Sequence, residues 1–421
     1  MLKAMLVAGL GRTGSTALMT LLATAPRMFV DRVFPLENRY LTYLAKLAVL
    51  LERQAASPKV TGQQLYDFAN NDFGSYPWQP AGVRLPANQW LHSFWETFSV
   101  RAAELLPGAE FYAEKVPAWL PARARETIPV STIYLFRDPR DIYLSSNAFM
   151  RRRGTPGFGR SRSDTELDYA RTVAHGFLSY FENYFMDRRR PDCLLVNYPE
   201  MVVDSNSLPV RLQRELGLDC HWESTPAHEA HRTAPDWQSS LGRWSREPLP
   251  AEAGHFLRKY LHAPMVHLGY TEGHAPAVPL KVEFRSGAFD PARLGRSPEG
   301  QILLGEDALD VIVTSSGHGM VLPLPPFDAR PVREIWVSLS GNAGDACSVY
   351  WRSRTEGFSE ERSVHVDYCG GPHWQVLRFP VAKHRRWKGA VAELRLDPFH
   401  RRSMPADVPE RGSLRWVTLI D

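Results

Sequence analysis

A glycine-rich segment near the amino terminus is the first stretch whose composition could bind an anion. Residues 9–16 read GLGRTGST and lie between an apolar run, residues 2–8, and the helix-forming run STALMTLL. A loop that joins a strand to a helix presents backbone N–H groups and a helix N-terminus, and both attract anions. The candidate phosphate ligands of this loop are Gly11, Arg12, Thr13, Gly14, Ser15 and Thr16.

This loop fits three chemical patterns, and a purely structural turn is a fourth interpretation. As G-x-G-x-x-G it matches a dinucleotide fingerprint, with Asp31 at a suitable distance after the run RMFV, and would indicate an NAD(P)-dependent oxidoreductase. As a Walker loop it has Ser15 in place of the phosphate-binding lysine, which disfavours an NTPase. In the third pattern Arg12 supplies the cation, and the hydroxyls of Ser15 and Thr16 add donors.

A second anion-binding element is predicted at residues 137–145, which read RDPRDIYLS. The preceding run VSTIYLF, residues 130–136, is rich in β-branched, aromatic and other apolar residues and is typical of a buried parallel strand. Arg137 follows that strand directly, and a guanidinium there can bind a phosphate through two N–H groups. Ser145 lies in the first turns of the next helix, where its hydroxyl and the helix start can meet the same anion. A surface turn with internal salt bridges is the alternative, whereas a dinucleotide enzyme needs no such element.

Three shorter segments add to this pattern, one before and two after the second anion-binding element. They are EKVP at residues 114–117, VNYPEMV around Tyr198, and SSLGRW at residues 239–244. Together with the two anion elements they resemble the motifs of sulfotransferases that use 3′-phosphoadenosine 5′-phosphosulfate, in the branch of bacterial, carbohydrate and tyrosylprotein enzymes. The resemblance covers about residues 1–270 and implies a P-loop-like parallel sheet with flanking helices.

The resemblance implies transfer of a sulfuryl group to an acceptor hydroxyl of a glycan or glycolipid, with adenosine 3′,5′-bisphosphate as product and no metal. Arg137 and Ser145 would bind the 3′-phosphate. The remaining cofactor contacts would come from Tyr198, Ser240, Gly242 and Arg243.

Three residues are candidates for the chemical step. Arg12 and Lys115 would stabilise the negative charge on the leaving oxygen. Pro117 stands where the small-molecule branch has its histidine base, so the resemblance assigns the general base to Glu37 in FPLENR. Asp31 and His92 are reserve bases. Alternatively, Glu37 interacts with a helix dipole and Lys115 is a solvated surface lysine.

Composition restricts the class of protein. The chain has 421 residues, with 50 Lys and Arg against 46 Asp and Glu, so its net charge is +4. This is ordinary globular composition, which excludes a disordered polyelectrolyte or a fibrous repeat and argues against nucleic acid as the main partner. No apolar run reaches about 18 residues, so no membrane span is predicted. The four cysteines form no C-x-x-C pair, which favours a reduced, cytoplasmic compartment.

Two domains are expected from the length and from a change of pattern near residue 272. Residues 1–272 should form the α/β nucleotide-binding domain. The predicted elements are strands over 2–8, 110–113, 130–136 and 193–198, and helices from Ser15 to Pro26, over 36–57 and over 164–189.

Beyond the linker-like stretch TEGHAPAVP, short alternating strands predict a jelly-roll-like β-sandwich over residues 280–421. Its role could be carbohydrate binding, homo-oligomerisation or docking to a glycosyltransferase, and a non-catalytic glycan-binding protein is a further interpretation of the whole chain. Four tryptophans of this region would form either a sugar platform or the sandwich core: Trp336, Trp351, Trp374 and Trp387.

Overall fold

The computed structural model describes most of the chain. The described residues are 1–31, 36–53, 87–204, 206–222, 233–234, 236–271, 280–294, 300–313, 319–341, 346–368, 370–400 and 410–421. The chain divides into two compact units, Met1–Ala48 with Leu85–Ala277, and Val49–Arg84 with Val278–Asp421. The predicted linker lies outside the described residues, except for its first residue, Thr271.

The first unit contains a five-stranded parallel sheet. In chain order its strands are β1 Lys3–Ala8, β2 Met28–Phe29, β3 Phe111–Val116, β4 Val130–Phe136 and β5 Cys193–Asn197. Their order across the sheet is β2-β3-β1-β4-β5, and every neighbouring pair is parallel. Because β1 lies between β3 and β4, the segments that follow these three strands leave the sheet side by side at its carboxyl edge.

Helices connect these strands and cover the sheet. They are α1 Ser15–Leu22, α2 Tyr40–Arg53, α3 Ala87–Leu105, α4 Leu120–Arg125, α5 Pro139–Arg153, α6 Glu166–Asp187, α7 Tyr198–Val203, α8 Ser207–Leu216, α9 Ala251–Tyr260 and α10 His262–His267. Local sequence explains several starts: Asp138 caps α5 ahead of Pro139, and a capping box between Thr165 and Asp168 opens α6.

Both faces of the sheet are packed. Met5, Val7 and Ile133 point to the face covered by α1, α7 and α8. On β4 the alternate residues Tyr134 and Phe136 meet aromatic rings of α6, so all seven residues of the strand are buried. This explains why β4 is mostly apolar, and the predicted α/β fold class is confirmed.

The second unit is built from antiparallel strands. In chain order they are β6 Lys281–Glu283, β7 Gly300–Leu304, β8 Leu309–Val313, β9 Met320–Val321, β10 Phe327–Asp328, β11 Glu334–Gly341, β12 Ala346–Arg352, β13 Ser363–Asp367, β14 Gly371–Phe379, β15 Ala390–Val391, β16 Glu393–His400 and β17 Glu410–Ile420. The larger sheet has the order β14-β11-β17-β8-β7, with β6 beside β17, and the other main sheet has the order β13-β12-β16-β9.

One hydrophobic core joins the two main sheets of this unit. Side chains such as Val337 on β11 and Val349 on β12 belong to the same buried cluster. The predicted β-sandwich is therefore confirmed. The alternative of a solvent-facing tryptophan platform is wrong for all four candidates, because none is more than 7% exposed; Trp351 and Trp387 belong to this core. In the described part of the chain, no helix is both long and apolar enough to span a membrane.

Candidate active site

The loop after β1 is held in an unusual backbone conformation. Arg12 has a φ of 71° and Gly14, at the N-cap of α1, has a φ of 96°. A Cβ on Gly14 would lie 2.8 Å from the ring of Tyr198, so glycine is required both by the backbone and by this close approach. Thr13 is buried and its hydroxyl donates to the carbonyl of Leu10 at 2.7 Å, which stabilises the turn from inside.

The two predicted anion elements touch each other. Arg137 Nη1 donates to the carbonyl oxygen of Arg12 at 3.1 Å, across 125 positions of sequence. The Arg12 side chain reaches in the other direction, where its Nε donates to Ser145 Oγ at 3.2 Å and its guanidinium lies 4.6 Å from the ring centre of Phe149. Burial and the neighbouring Arg137 lower the pKa of Arg12 to about 10. The sheet order produces this contact, because β1 and β4 are neighbours.

Arg137 is a deeply buried cation. Only 5% of it is exposed, and burial lowers its pKa. Its Nη2 donates to the carbonyl of Ser240 at 2.5 Å, its guanidinium lies 4.4 Å from the ring centre of Tyr198, and its Nε has no hydrogen-bond partner among the described residues. A buried guanidinium with an unused donor is costly unless an anion completes its hydrogen bonds.

The other charged residues of RDPRD have a structural role. Asp138 accepts from the backbone N–H and the Nε of Arg140, both at 2.9 Å. Asp141 accepts from the backbone N–H of Gly242 at 2.9 Å and from that of Trp244 at 3.1 Å. The Arg140 guanidinium lies 3.6 Å from the ring centre of Trp244. The start of α5 thus binds the SSLGRW segment, and the two motifs contact each other directly.

Of the predicted residues in this segment, Ser240 lines the cleft, whereas Gly242 and Arg243 lie outside its lining. Ser240 Oγ hydrogen-bonds the hydroxyl of Tyr198 at 2.8 Å. Arg243 is 4% exposed and already paired, with Nε and Nη2 donating to the Glu247 carboxylate at 2.6 and 2.7 Å. Its Nη1 donates to Thr233 Oγ1 at 3.2 Å, so it approaches the cleft through Thr233.

One cleft joins these elements. The residues that line it are Arg12, Gly14, Ser15, Thr16, Ala17, Arg137, Ser145, Tyr198, Thr233, Ala234, Asp236, Trp237 and Ser240. Eight of the twelve predicted cofactor-binding residues lie together here, all except Gly11, Thr13, Gly242 and Arg243, and Tyr198 supplies an aromatic wall. Thr233, Asp236 and Trp237 were missed by the sequence analysis; their only signal is their position shortly before SSLGRW.

Gly11 lies just outside the lining, packed against another aromatic ring. A Cβ on Gly11 would come within 2.6 Å of the Phe158 ring. The backbone of Phe158 has a φ of 53°, and the residue is 40% exposed.

Lys115 and Glu37 form the second part of the site. Lys115 Nζ donates to Thr16 Oγ1 at 2.9 Å and lies 3.4 Å from Glu37 Oε1. The Lys115 side chain is 6% exposed, whereas that of Glu37 is 49% exposed. Burial lowers the pKa of Lys115 to about 8, and the Glu37 carboxylate partly offsets this effect. Of the three predicted catalytic residues, Arg12 lies in the glycine loop, Lys115 contacts the start of α1, and Glu37 contacts Lys115.

The two reserve bases are engaged in other hydrogen bonds. Asp31 Oδ2 accepts from Asn38 Nδ2 at 2.5 Å and from the Tyr40 hydroxyl at 2.7 Å. His92 lies on α3, where Nδ1 is 3.3 Å from the carbonyl of Thr127 and Nε2 is 3.4 Å from Glu96. Among the described residues, no group of three or more His, Cys, Asp or Glu side chains could hold a metal ion.

Comparison with known proteins gives fold-level similarities at low identity. No protein-family model matches the chain, and no curated protein is significantly similar in sequence. The sulfotransferase domain from the curacin biosynthetic pathway is 14% identical over 65% of this chain and 99% of its own, with a TM-score of 0.37. The sulfotransferase STF1 from Mycobacterium tuberculosis H37Rv is 18% identical over 55% of this chain and 71% of its own, with a TM-score of 0.29.

The second unit has its own similarities. A low-affinity xylan-binding module, CBM86 from Roseburia intestinalis, is 10% identical over 34% of this chain and 96% of its own, with a TM-score of 0.25. At these identities and TM-scores, none of the solved structures assigns an activity to this chain.

Proposed function

We propose that this protein is a sulfotransferase that moves a sulfuryl group from 3′-phosphoadenosine 5′-phosphosulfate to an acceptor hydroxyl. The observation that carries this proposal is the contact between Arg137 and the Arg12 carbonyl in one cleft. The donor nucleotide has phosphate groups at both ends of its ribose, so it needs two anion sites that face one pocket. Here one site is the glycine loop with the start of α1, and the other is the start of α5.

Each predicted residue has a role in holding the nucleotide. The 5′-phosphosulfate would lie on the loop from Gly11 to Gly14, with the hydroxyls of Ser15 and Thr16 as donors. Arg137 and Ser145 would hold the 3′-phosphate, since Arg137 has an unused Nε–H. Tyr198 and Ser240 would line the adenosine side. Thr13, Gly242 and Arg243 would act from behind the cleft by holding the turns that form it.

The chemical step follows from the second part of the site. Glu37 would take the proton of the acceptor hydroxyl while the acceptor oxygen forms a bond to sulfur. The bond between sulfur and the bridging oxygen breaks, and that oxygen leaves with the 5′-phosphate of adenosine 3′,5′-bisphosphate. The negative charge that develops on it would be stabilised by Lys115 and Arg12. Because Lys115 contacts Thr16 at the start of α1, its ammonium lies next to the phosphosulfate loop.

The acceptor proposed is a hydroxyl of a glycan or glycolipid. Half of the Glu37 side chain is exposed, so a hydroxyl on a large molecule could reach it from solvent. The β-sandwich would then be a carbohydrate-binding or interaction domain. Its contacts with a sugar would come from residues other than the four tryptophans considered for a platform, because these are buried.

Two measurements test the proposal. Calorimetric titration with adenosine 3′,5′-bisphosphate, NAD⁺ and NADP⁺ should give binding of the bisphosphate alone. Incubation with the ³⁵S-labelled donor and a panel of glycans and glycolipids should then label an acceptor. Binding of NAD⁺ without the bisphosphate would favour the oxidoreductase, and glycan binding without any label transfer would favour a non-catalytic binding protein.

A further inference from the structure

Glu114, the residue before Lys115, has a buried carboxylate with four hydrogen-bond donors around it. It is 1% exposed. Its Oε1 accepts from the backbone N–H of Thr42 at 2.9 Å and from the Thr42 hydroxyl at 2.5 Å. Its Oε2 accepts from the backbone N–H of Leu41 at 2.8 Å and from the Tyr112 hydroxyl at 2.7 Å. Leu41 and Thr42 lie in the first turn of α2.

An ionised carboxylate fits these contacts, because each of its oxygens can accept the two hydrogen bonds that it receives. Burial raises the pKa of Glu114, and the four donors act in the opposite direction. A negative charge at the first turn also complements the dipole of α2, so Glu114 holds the helix start both by charge and by hydrogen bonding.

The strand geometry connects this buried carboxylate to the catalytic pair. Glu114 and Lys115 are consecutive in β3, so their side chains point to opposite faces of the sheet. Glu114 binds Leu41 and Thr42, whereas Lys115 binds Thr16 and Glu37. The short segment from Glu37 to Leu41 therefore runs between two adjacent residues of one strand.

We propose that Glu114 is the positioning residue of the general base: by holding Leu41 and Thr42 against β3, it keeps Glu37 beside Lys115. This inference rests on the proposed function for its catalytic meaning. Glu37 precedes α2 and lies in a segment without regular structure, so the hydrogen bonds of a helix or strand do not hold it in place. The hydrogen bonds from Leu41 and Thr42 to Glu114 supply the rigidity that a general base needs.

Turnover of Glu114→Gln is the first test. The amide nitrogen of Gln cannot accept, so two of the four donors lose their acceptor. We expect kcat to fall on the order of 10²-fold, as for a misplaced catalytic group, while the affinity for adenosine 3′,5′-bisphosphate is retained. A double variant with Glu37→Gln should be no slower than Glu37→Gln alone, because both changes act on one group. Multiplicative losses in the double variant would contradict the inference.

Three further variants distinguish the positioning role from simple misfolding of Glu114→Gln. Thr42→Val removes a single donor at nearly constant volume and should lower kcat. Thr42→Ser retains the hydroxyl and should keep kcat close to that of the wild-type protein. Ser99→Ala is the matched control, since Ser99 Oγ accepts from the backbone N–H of Leu2 in a buried bond of the same unit. It should lower stability without changing kcat.

The pKa of Lys115 gives a readout that needs no turnover. It can be followed by NMR titration of ¹³C-labelled lysine, with the signal assigned from its loss in Lys115→Arg. Glu37 raises this pKa, so Glu37→Gln should lower it below about 8. Glu114→Gln should shift it in the same direction, and the double variant should shift it no further.

The outcomes of the titration are distinct. An unchanged Lys115 pKa in Glu114→Gln, or in Glu37→Gln, would overturn the positioning role. A shifted pKa in a protein that labels no acceptor would support the positioning of Glu37 and contradict the sulfotransferase proposal.

Discussion

Replacement of Arg137 by lysine tests the proposed nucleotide site most directly. The lysine keeps the positive charge but has one nitrogen in place of the planar guanidinium. In the structure the guanidinium donates to the carbonyls of Arg12 and Ser240 and has Nε–H left for a ligand. A single ammonium at the end of a flexible chain cannot hold both carbonyls and also bind a phosphate through two parallel N–H groups.

The expected loss of affinity for adenosine 3′,5′-bisphosphate can be calculated from these contacts. A hydrogen bond to a charged group contributes about 1.5–3 kcal/mol, and the variant loses at least one such bond together with part of the preorganisation of the cleft. A total of about 3 kcal/mol corresponds to a rise in Kd on the order of 10²-fold for adenosine 3′,5′-bisphosphate.

Calorimetry and thermal unfolding measure this effect independently. At a ligand concentration of about 100 times the wild-type Kd, binding should stabilise the wild-type protein by about 2.7 kcal/mol and the Arg137→Lys variant by only about 0.4 kcal/mol. Arg125→Lys is the control, because Arg125 is also largely buried but pairs with Asp187 at 2.7 Å. That variant should lose stability and keep its affinity for the bisphosphate.

The reasoning fails if Arg137→Lys is folded and binds the bisphosphate as tightly as the wild-type protein. It also fails if Arg125→Lys weakens binding to the same extent, because the effect of Arg137 would then be a general loss of stability.

Three other predictions follow from the same site. Glu37→Gln should retain bisphosphate affinity and lower kcat by about 10²–10⁴-fold, because only the proton acceptor is lost; single-turnover assays with the labelled donor measure this. In a pH profile, kcat/KM for the donor should fall as the pH rises through about 8, since Lys115 of the free enzyme then loses its charge; Lys115→Arg should move this decline to higher pH. Gly14→Ala should weaken bisphosphate binding in calorimetry, because its Cβ would meet the Tyr198 ring at 2.8 Å. Gly154→Ala has a positive φ but open space around it, so it should lose about 1 kcal/mol of stability and no affinity.

Much of the first unit follows from local patterns. The run VSTIYLF predicts a strand over 130–136, and β4 has those bounds, because an apolar run that ends at Arg137-Asp138-Pro139 has few alternatives. The helix predicted over 36–57 is observed as α2 over Tyr40–Arg53, and residues 54–57 of that prediction lie outside the described residues. The helix predicted over 164–189 is observed as α6 over Glu166–Asp187. Such elements depend on residue periodicity, capping groups and proline, all of which act within a few residues.

Contacts between distant segments required the folded chain. No local pattern says that Arg137 donates to the carbonyl of Arg12, or that Asp141 holds Gly242 across 101 positions. The same is true of the lining residues Thr233 and Trp237: they belong to no motif, so no local pattern predicts that they line the cleft. The four buried tryptophans of the sandwich show the same difficulty, since an alternating strand exposes one face only if nothing packs on it.

The amino-acid order of this protein specifies its strands, its helix starts and the types of side chain that could bind an anion. The meeting of these side chains depends on the position of β1 between β3 and β4, which places the glycine loop, Lys115 and Arg137 at one edge of the sheet. Strand order is set by the free energy of burying whole helices and strands against one another, and this energy is a property of the packed unit rather than of any short segment.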